Sequence, residues 1–390
     1  MAVRRWWQLS SRWVFFLGWL DVPSREAGPR RIIFAAGGTA GHVEPALATA
    51  DMVRKNDANA RIRFLATSAG IENQLVPPRG YELLTVPKAA IPRRISKDLL
   101  LLPFRLVRAV IATRRMIAGA DVIVGFGGYL AGTAYLAAKI SRIPIVVHEA
   151  NARAGMANRL GSFFTDEIAL VDANAGLRQG IVIGLPMREK ILSWAMRVRS
   201  DSAESKAAAR RILGLDPNKP TVVVIGGSQG SLRINTAMAQ ALESLLAHGA
   251  QVLHAVGTRN QLPAAKPGYF PTAYLSEIEL AYAAADVLVA RSGAATCQEV
   301  LAFGLPAVFV PLPFGNGEQA LNAEPLVDAG AAVIIKDDEI NGEKLATGVL
   351  EILQDEKVRD KMRNASQHLT RLDAAEELAA MVVRVANRRK

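Results

Sequence analysis

A single cysteine, Cys297, stands among 390 residues. That excludes an internal disulfide framework and a cysteine-built zinc site, and it suits a reducing compartment. The five histidines, His42, His148, His248, His254 and His368, include no pair four residues apart, so no helical His-x-x-x-His metal pair exists. The apolar run at residues 13–20 is 8 residues long, against the ~20 that a membrane-spanning helix needs. Neither G-x-G-x-x-G nor G-x-x-x-x-G-K-[ST] occurs, which disfavours a dinucleotide oxidoreductase and a P-loop NTPase. No Asp-x-Asp pair lies at the end of a candidate strand, so no catalytic metal is expected, and Asp337-Asp338-Glu339 reads as a solvated turn.

Negative charge is scarce in one half only. Residues 1–190 carry 26 basic and 14 acidic side chains, whereas residues 191–390 carry 21 and 22. Between residues 79 and 115 there are 9 basic residues and 2 acidic ones. Such asymmetry implies an anionic partner for the first half, either nucleic acid or a membrane surface. The basic stretch has few aromatic residues for base stacking and no recognition motif, which counts against nucleic acid. With half its residues apolar and a fifth charged, the chain is long enough for two domains at roughly 100–200 residues each. Residues 1–30 hold four of the five tryptophans and three arginines before residue 20. They read as a disordered leader, a start placed too early or an interfacial anchor, and are set apart from the fold.

From residue 31 onward, short β-branched runs alternate with amphipathic stretches, the pattern of parallel sheets covered by helices. Strands are expected at 31–36, 62–66, 121–124 and 143–148, then at 221–225, 251–255, 287–290, 307–310 and 332–335. Helices are expected at 44–55, 103–117, 131–140, 234–247, 296–302 and 319–329. The charged, Ser/Ala-rich stretch 185–220 reads as the domain junction, and a last helix beyond Asp373 closes the chain. Each half opens alike, a strand feeding Gly37-Gly38-Thr39-Ala40-Gly41-His42 in one case and Gly226-Gly227-Ser228-Gln229-Gly230 in the other. Similar turns follow at Gly125-Phe126-Gly127-Gly128-Tyr129 and Arg291-Ser292-Gly293-Ala294. Any one such loop is explained by tight turning. Four of them at the C-terminal ends of strands, each opening a helix, point to phosphate binding.

These motifs, with His148-Glu149-x-Asn151 and Gln319-x-x-Asn322-Ala323, occur in the order and spacing of the MurG family, which the chain resembles from residue 31 to its end. That family adds N-acetylglucosamine to lipid I in peptidoglycan synthesis. The resemblance implies an α/β GT-B fold, two Rossmann-like domains with parallel sheets facing across a cleft. The domains would be 31–187, for acceptor and membrane, and 188–370, for UDP-sugar, with 371–390 a helix returning to the first. It implies UDP-N-acetylglucosamine as donor, lipid I as acceptor and no cofactor. Further partners would be the anionic cytoplasmic face of the plasma membrane, met peripherally, and a cell-wall synthesis complex; nucleic acid would be none. The neighbouring alternatives are a diacylglycerol glycosyltransferase or a sugar-nucleotide epimerase on the same fold.

By the same resemblance Ser228 and Arg188 would take the diphosphate, and the Leu275 backbone would read uracil. Ala294, Ala295 and Thr296 would contact phosphate and nucleotide, Glu299 the ribose hydroxyls, and Gln319 with Asn322 the sugar hydroxyls. Thr39, Ala40, Gly41 and Asn151 would reach the donor from the first domain, while Gly38, Gly127, Gly128 and Tyr129 would meet the acceptor diphosphate. Ala40 stands where the family usually has glycine, so a positive φ there would be strained. The implied reaction is inversion, the acceptor 4-hydroxyl displacing UDP in one step. His42 is the candidate base, or alternatively a helix cap or a ligand of the acceptor diphosphate. Glu149 is the second candidate base, or a structural group. The basic stretch gives a membrane patch of Arg93, Arg94, Lys97, Leu101, Phe104, Arg105 and Arg108. Leu106, Val107, Val110 and Ile117, on the other side of that helix, are expected to face the core.

Overall fold

The computed structural model describes residues 28–88, 97–227 and 229–389, with the backbone alone for 97–101. Ser228, Arg93, Arg94 and nearly all of the leader lie outside the described residues, and Lys97 and Leu101 are placed only as helix backbone. The first sheet is built from β1 (Arg31–Ala35), β2 (Arg61–Ala66), β3 (Glu82–Thr85), β4 (Val122–Gly125), β5 (Ile145–Glu149), β6 (Ile168–Leu170) and β7 (Ile181–Val182). Between them run α1 (Ala40–Asn56), α2 (Glu72–Leu75), α3 (Lys97–Met116), α4 (Gly128–Ile140) and α5 (Met156–Ser162). After α6 (Glu189–Ser200) and α7 (Ser202–Ile212), the second sheet collects β8 (Thr221–Ile225), β9 (Gln251–Ala255), β10 (Tyr269–Thr272), β11 (Val287–Ala290), β12 (Ala307–Phe309) and β13 (Ala332–Ile334). Its helices are α8 (Leu232–Ala247), α9 (Ile278–Ala284), α10 (Ala294–Phe303), α11 (Glu318–Asp328), α12 (Gly342–Gln354) and α13 (Glu356–Leu369), and α14 (Ala374–Asn387) ends the chain.

Both sheets are parallel throughout, in the orders β3-β2-β1-β4-β5-β6-β7 and β10-β9-β8-β11-β12-β13. In each the order reverses next to its first strand, between β1 and β4 and between β8 and β11. In open α/β sheets, ligands sit outside the strand ends at such a reversal. The four glycine loops follow those four strands, so the fold delivers all of them to its two switch points.

The central strands form because they are apolar on both faces and covered by helices on each. Ile32, Ile33, Phe34 and Ala35 of β1 and Val222, Val223 and Val224 of β8 are fully buried. The sequence pattern missed β3, β6, β7 and β10, which are short and lie towards the sheet edges. The stretch 185–220 does join the two sheets, but the sequence pattern missed the helices within it. Most of that stretch is α6 and α7, whose Ile191, Ala195, Val198 and Ala209 join the core of the second domain. The Asp201 side chain caps α7 by accepting from the Glu204 N–H. Helix α14 packs on the first domain, where Leu378, Val382 and Val385 share a core with Ile32, Phe34 and Val43. Among the described residues no helix is long and apolar enough to cross a membrane.

Candidate functional site

At the first switch point the β1–α1 and β4–α4 loops touch. Gly128 has φ +73, and a Cβ there would lie 2.7 Å from the Gly37 carbonyl oxygen, so only glycine permits this approach. Between the loops lies half-buried His42, its Nδ1 3.2 Å from Thr39 Oγ1 and its Nε2 facing Gly127. Burial lowers its pKa below the usual histidine value, while the negative charge of Glu149 and a hydrogen bond with the Gly37 backbone work the other way. The imidazole is therefore held neutral and close to solvent, the state a proton acceptor needs. Gly38, Thr39 and Gly41 are exposed around it. Tyr129 lies in the same mouth, its hydroxyl 2.9 Å from Thr67 Oγ1.

Ala40 is the first residue of α1, and among the described residues the one non-glycine with positive φ is Arg142. The strain expected at Ala40 is absent, because the loop turns at Gly38, φ +94.

Glu149 ends β5 with its carboxylate saturated. Oε1 accepts from the Asn151 backbone N–H at 2.9 Å and from its side-chain amide at 3.1 Å. Oε2 accepts from the Gly155 N–H at 3.1 Å and from Asn158 Nδ2 at 2.9 Å. Four donors leave no ready lone pair for a substrate proton, so the geometry makes Glu149 the clamp of loop 150–155 rather than a base. The neighbouring His148 is also architectural: it is buried, its pKa is pushed down to about 4 by desolvation, and its Nε2 donates to the Gly184 carbonyl at 3.1 Å.

The second switch point opens on a cleft of about 790 Å³ between the β8–α8 loop, the start of α10 and residues 312–319. Gly227 has φ +94, and a Cβ on Gly230 would overlap the Val256 carbonyl. The Arg291 guanidinium, for which the sequence suggested no role, braces this wall. It donates to the Val310 carbonyl at 2.9 Å and to Ser231 Oγ at 2.7 Å, and pairs with Asp337 at 2.6 Å. Arg233 reaches Asp337 from the other side at 3.2 Å. Residues 337–339 do form a turn, with Asp338 and Glu339 exposed as expected, but Asp337 is buried between two arginines; its partners are 46 and 104 residues distant in the chain, beyond what local pattern reveals.

Gly293 precedes α10, so Ala294, Ala295 and Thr296 form its first turn, where backbone N–H groups lack helical acceptors. One turn on, Glu299 accepts from the Tyr282 hydroxyl at 3.0 Å. Its pKa is pushed up to about 7, chiefly by burial, with Glu44 and Glu279 adding to the rise and Arg188 and Tyr282 opposing it. Leu275 lies in the β10–α9 loop, half-buried on the core of the second domain.

The two strand-end faces meet along one seam. Asn322 Oδ1 accepts from the Ala152 N–H at 2.8 Å, and Arg153 donates to the Asn316 carbonyl at 2.7 Å. Asn322 also lies 3.3 Å from Asn151 Oδ1. Both asparagines are therefore committed to joining the domains, a use the sequence did not suggest. Gln319 lies beside them, its Oε1 accepting from the Leu312 N–H. Arg188, preceding α6, pairs at 3.7 Å with Glu44 of the first domain.

Away from the seam, α3 carries Phe104, Val107 and Ile111 at helical spacing, exposed by 74, 58 and 49%. Arg105 and Arg108 are exposed beside them. Val110 and Ile117 are buried, but Val107, expected to face the core, points outward and widens the apolar stripe.

Comparison with known proteins bears on this geometry. Residues 32–170 match the model of the glycosyltransferase family 28 N-terminal domain, and residues 221–378 that of the glycosyltransferase family 28 C-terminal domain. The UDP-N-acetylglucosamine–N-acetylmuramyl-(pentapeptide) pyrophosphoryl-undecaprenol N-acetylglucosamine transferase of Streptomyces coelicolor is 45% identical over 90% of this chain and 97% of its own. The protein of the same description from Saccharopolyspora erythraea is 46% identical over 92 and 94%. Among solved structures, Acinetobacter baumannii MurG superposes with a TM-score of 0.70 at 25% identity, covering 91% of this chain and 100% of that one. The calicheamicin glycosyltransferase CalG4, at 18% identity, shares the fold with a TM-score of 0.63 over 92 and 99% of the two chains.

Proposed function

The chain belongs to glycosyltransferase family 28, with the GT-B fold and the activity of transferring N-acetylglucosamine from UDP-N-acetylglucosamine to lipid I to give lipid II, and from that premise we propose which residues carry the reaction. The observation that carries the reading is the convergence of four glycine loops, from two switch points, on one seam.

The donor lies on the second domain. Glu299 accepts the vicinal ribose hydroxyls, since its carboxylate, unlike that of Glu149, retains acceptor capacity. Helix α10 presents the N–H groups of Ala294, Ala295 and Thr296 to phosphate, and Ser228 with Arg188 completes the diphosphate site. Leu275 meets the uracil and Gln319 the sugar. Asn322 reads a sugar hydroxyl on exchanging its bond to Ala152. Thr39, Ala40, Gly41 and Asn151 close over the donor from the first domain.

The acceptor enters on the side of Gly38, Gly127, Gly128 and Tyr129. Its 4-hydroxyl oxygen attacks the anomeric carbon as the bond from that carbon to the diphosphate oxygen breaks. His42 takes the hydroxyl proton, and the charge gathering on UDP is met by N–H groups and Arg188. Because the attack and the departure share one step, the anomeric configuration inverts. Glu149 acts through position only, holding Asn151 and the loop beside His42. The α3 stripe dips into the cytoplasmic leaflet, where Arg105, Arg108, Arg93, Arg94 and Lys97 meet anionic headgroups, and this peripheral docking brings the active site to its lipid-linked acceptor. A cell-wall synthesis complex would receive the product.

The test is transfer of labelled N-acetylglucosamine from UDP-N-acetylglucosamine to lipid I and, separately, to diacylglycerol. Lipid II is the expected product; transfer to diacylglycerol alone would overturn the reading.

A further inference from the structure

Glu44 lies one turn into α1 of the first domain, yet it faces the donor side of the seam. Its Oε2 is buried and no hydrogen bond reaches it. The cation it meets is Arg188, 3.7 Å away and about three-quarters buried. A carboxylate oxygen buried with only a long ion pair to answer it costs stability unless it serves something else. Arg188 is at the same time close enough to Glu299 to favour its ionised form, and Glu44 close enough to oppose it. One guanidinium thus pairs with a carboxylate of the first domain and acts through its charge on a carboxylate of the second.

We infer that Glu44 is a positioning residue of the donor site: from the acceptor-side domain it holds Arg188 at the seam, dividing that guanidinium between itself and Glu299. The inference rests on the assignment of Arg188 and Glu299 to the donor. It makes the donor pocket incomplete without the first domain, because the arginine that serves the diphosphate and the ribose carboxylate is oriented from across the seam. Donor affinity then reports how the domains sit against each other. The groups facing Glu299 are Arg188, Tyr282, Glu44 and Glu279, so removing the Glu44 charge leaves two favourable neighbours and one unfavourable one.

The experiment is steady-state kinetics of the full chain with lipid I or a soluble analogue, from pH 5.5 to 9, for wild type, Glu44→Gln, Glu44→Asp and Glu299→Ala. At pH 8.5, Glu44→Gln should raise the KM for UDP-N-acetylglucosamine about 3- to 10-fold, the scale of one partly buried ion pair, and lower kcat by no more than that factor because Arg188 also meets the charge on departing UDP, with acceptor KM within about twofold. The acid limb of kcat/KM for the donor should move to lower pH in the same variant. Glu44→Asp keeps the charge at shorter reach, so its KM should rise while its acid limb stays with wild type. A merely structural Glu44 would move neither limb, and an unmoved limb or an unchanged donor KM in Glu44→Gln overturns the inference. If Glu299→Ala raises donor KM while Glu44→Gln does not, the inference alone fails. If Glu299→Ala leaves donor KM unchanged, the donor assignment fails and takes the inference with it.

Discussion

Two carboxylates flank the seam, one from each domain, and they differ in what is left for a ligand. Glu149 accepts four hydrogen bonds from its own domain, whereas Glu299 accepts one, from Tyr282. The first is a fastener, while the second retains acceptor capacity at the cost of a raised pKa. The same division runs through the domains. Beside its switch point the first domain spends its polar side chains on fixing loops, leaving His42 as a titratable group in the mouth. The second domain braces its wall with Arg291 and Asp337 and leaves a cleft. In the proposed reading, a shared fold supplies a reactive group on one side and a binding surface on the other.

The sharpest way to break this comparison is His42→Ala. If the first domain supplies the base, kcat should fall by about 10²- to 10⁴-fold, with donor KM within a few-fold. Because burial lowers the His42 pKa, wild-type kcat should be lost on the acid side below the ordinary histidine value of about 6.5, as the imidazole protonates. Turnover unchanged by the substitution would move the base elsewhere.

Next in size is Glu149→Gln. An amide cannot accept at its NH₂ end, so two of the four donors lose their partner, which should cost about 2–4 kcal/mol of stability. Thermal and urea unfolding should show this loss. Activity per folded molecule should be retained, with the acid limb moving to lower pH because the Glu149 charge that raises the His42 pKa is gone; disappearance of that limb would make Glu149 the base after all.

Sequence left Glu149 open between a base and a structural group, since its four donors come from a loop geometry that spacing does not encode. What was legible followed from local rules. The fully buried apolar runs of β1, β8 and β11 announced parallel sheets, and the glycine loops announced the strand ends at which the sheet order reverses. The misses were of a different kind. Helices α6 and α7 look like linker because alanine, serine and charged residues dominate them, and only a few side chains reach the core. Asp337 looked solvated because its arginines come from the loop after β11 and from α8. Arg188 and Glu44 are 144 positions apart, and Glu44 has no motif to single it out.

The domains also differ at their surfaces. Replacing Phe104 and Val107 of α3 by serine should weaken binding to anionic vesicles about tenfold, the scale of losing two partly inserted apolar side chains. Transfer to a soluble acceptor analogue should stay within twofold. Vesicle affinity that persists in low salt and in high salt would remove α3 from the membrane-facing side.

The smallest effect tests whether the two opening loops are the same device. Gly38 and Gly227 share φ +94, each just after the first strand of its sheet, so each loop makes its left-handed turn at the second glycine. Ala40 comes after that turn has been completed and already lies in α1. Ala40→Gly would therefore relieve no strain and would exchange a strong helix former for a weak one. It should lower stability by up to about 1 kcal/mol, a fall of a few degrees at most in the melting temperature, while Gly38→Ala should cost more because its backbone sits where a side chain is strained. A rise in melting temperature for Ala40→Gly would mean that the first loop turns two residues later than the second, and the parallel between the two switch points would not hold at this detail.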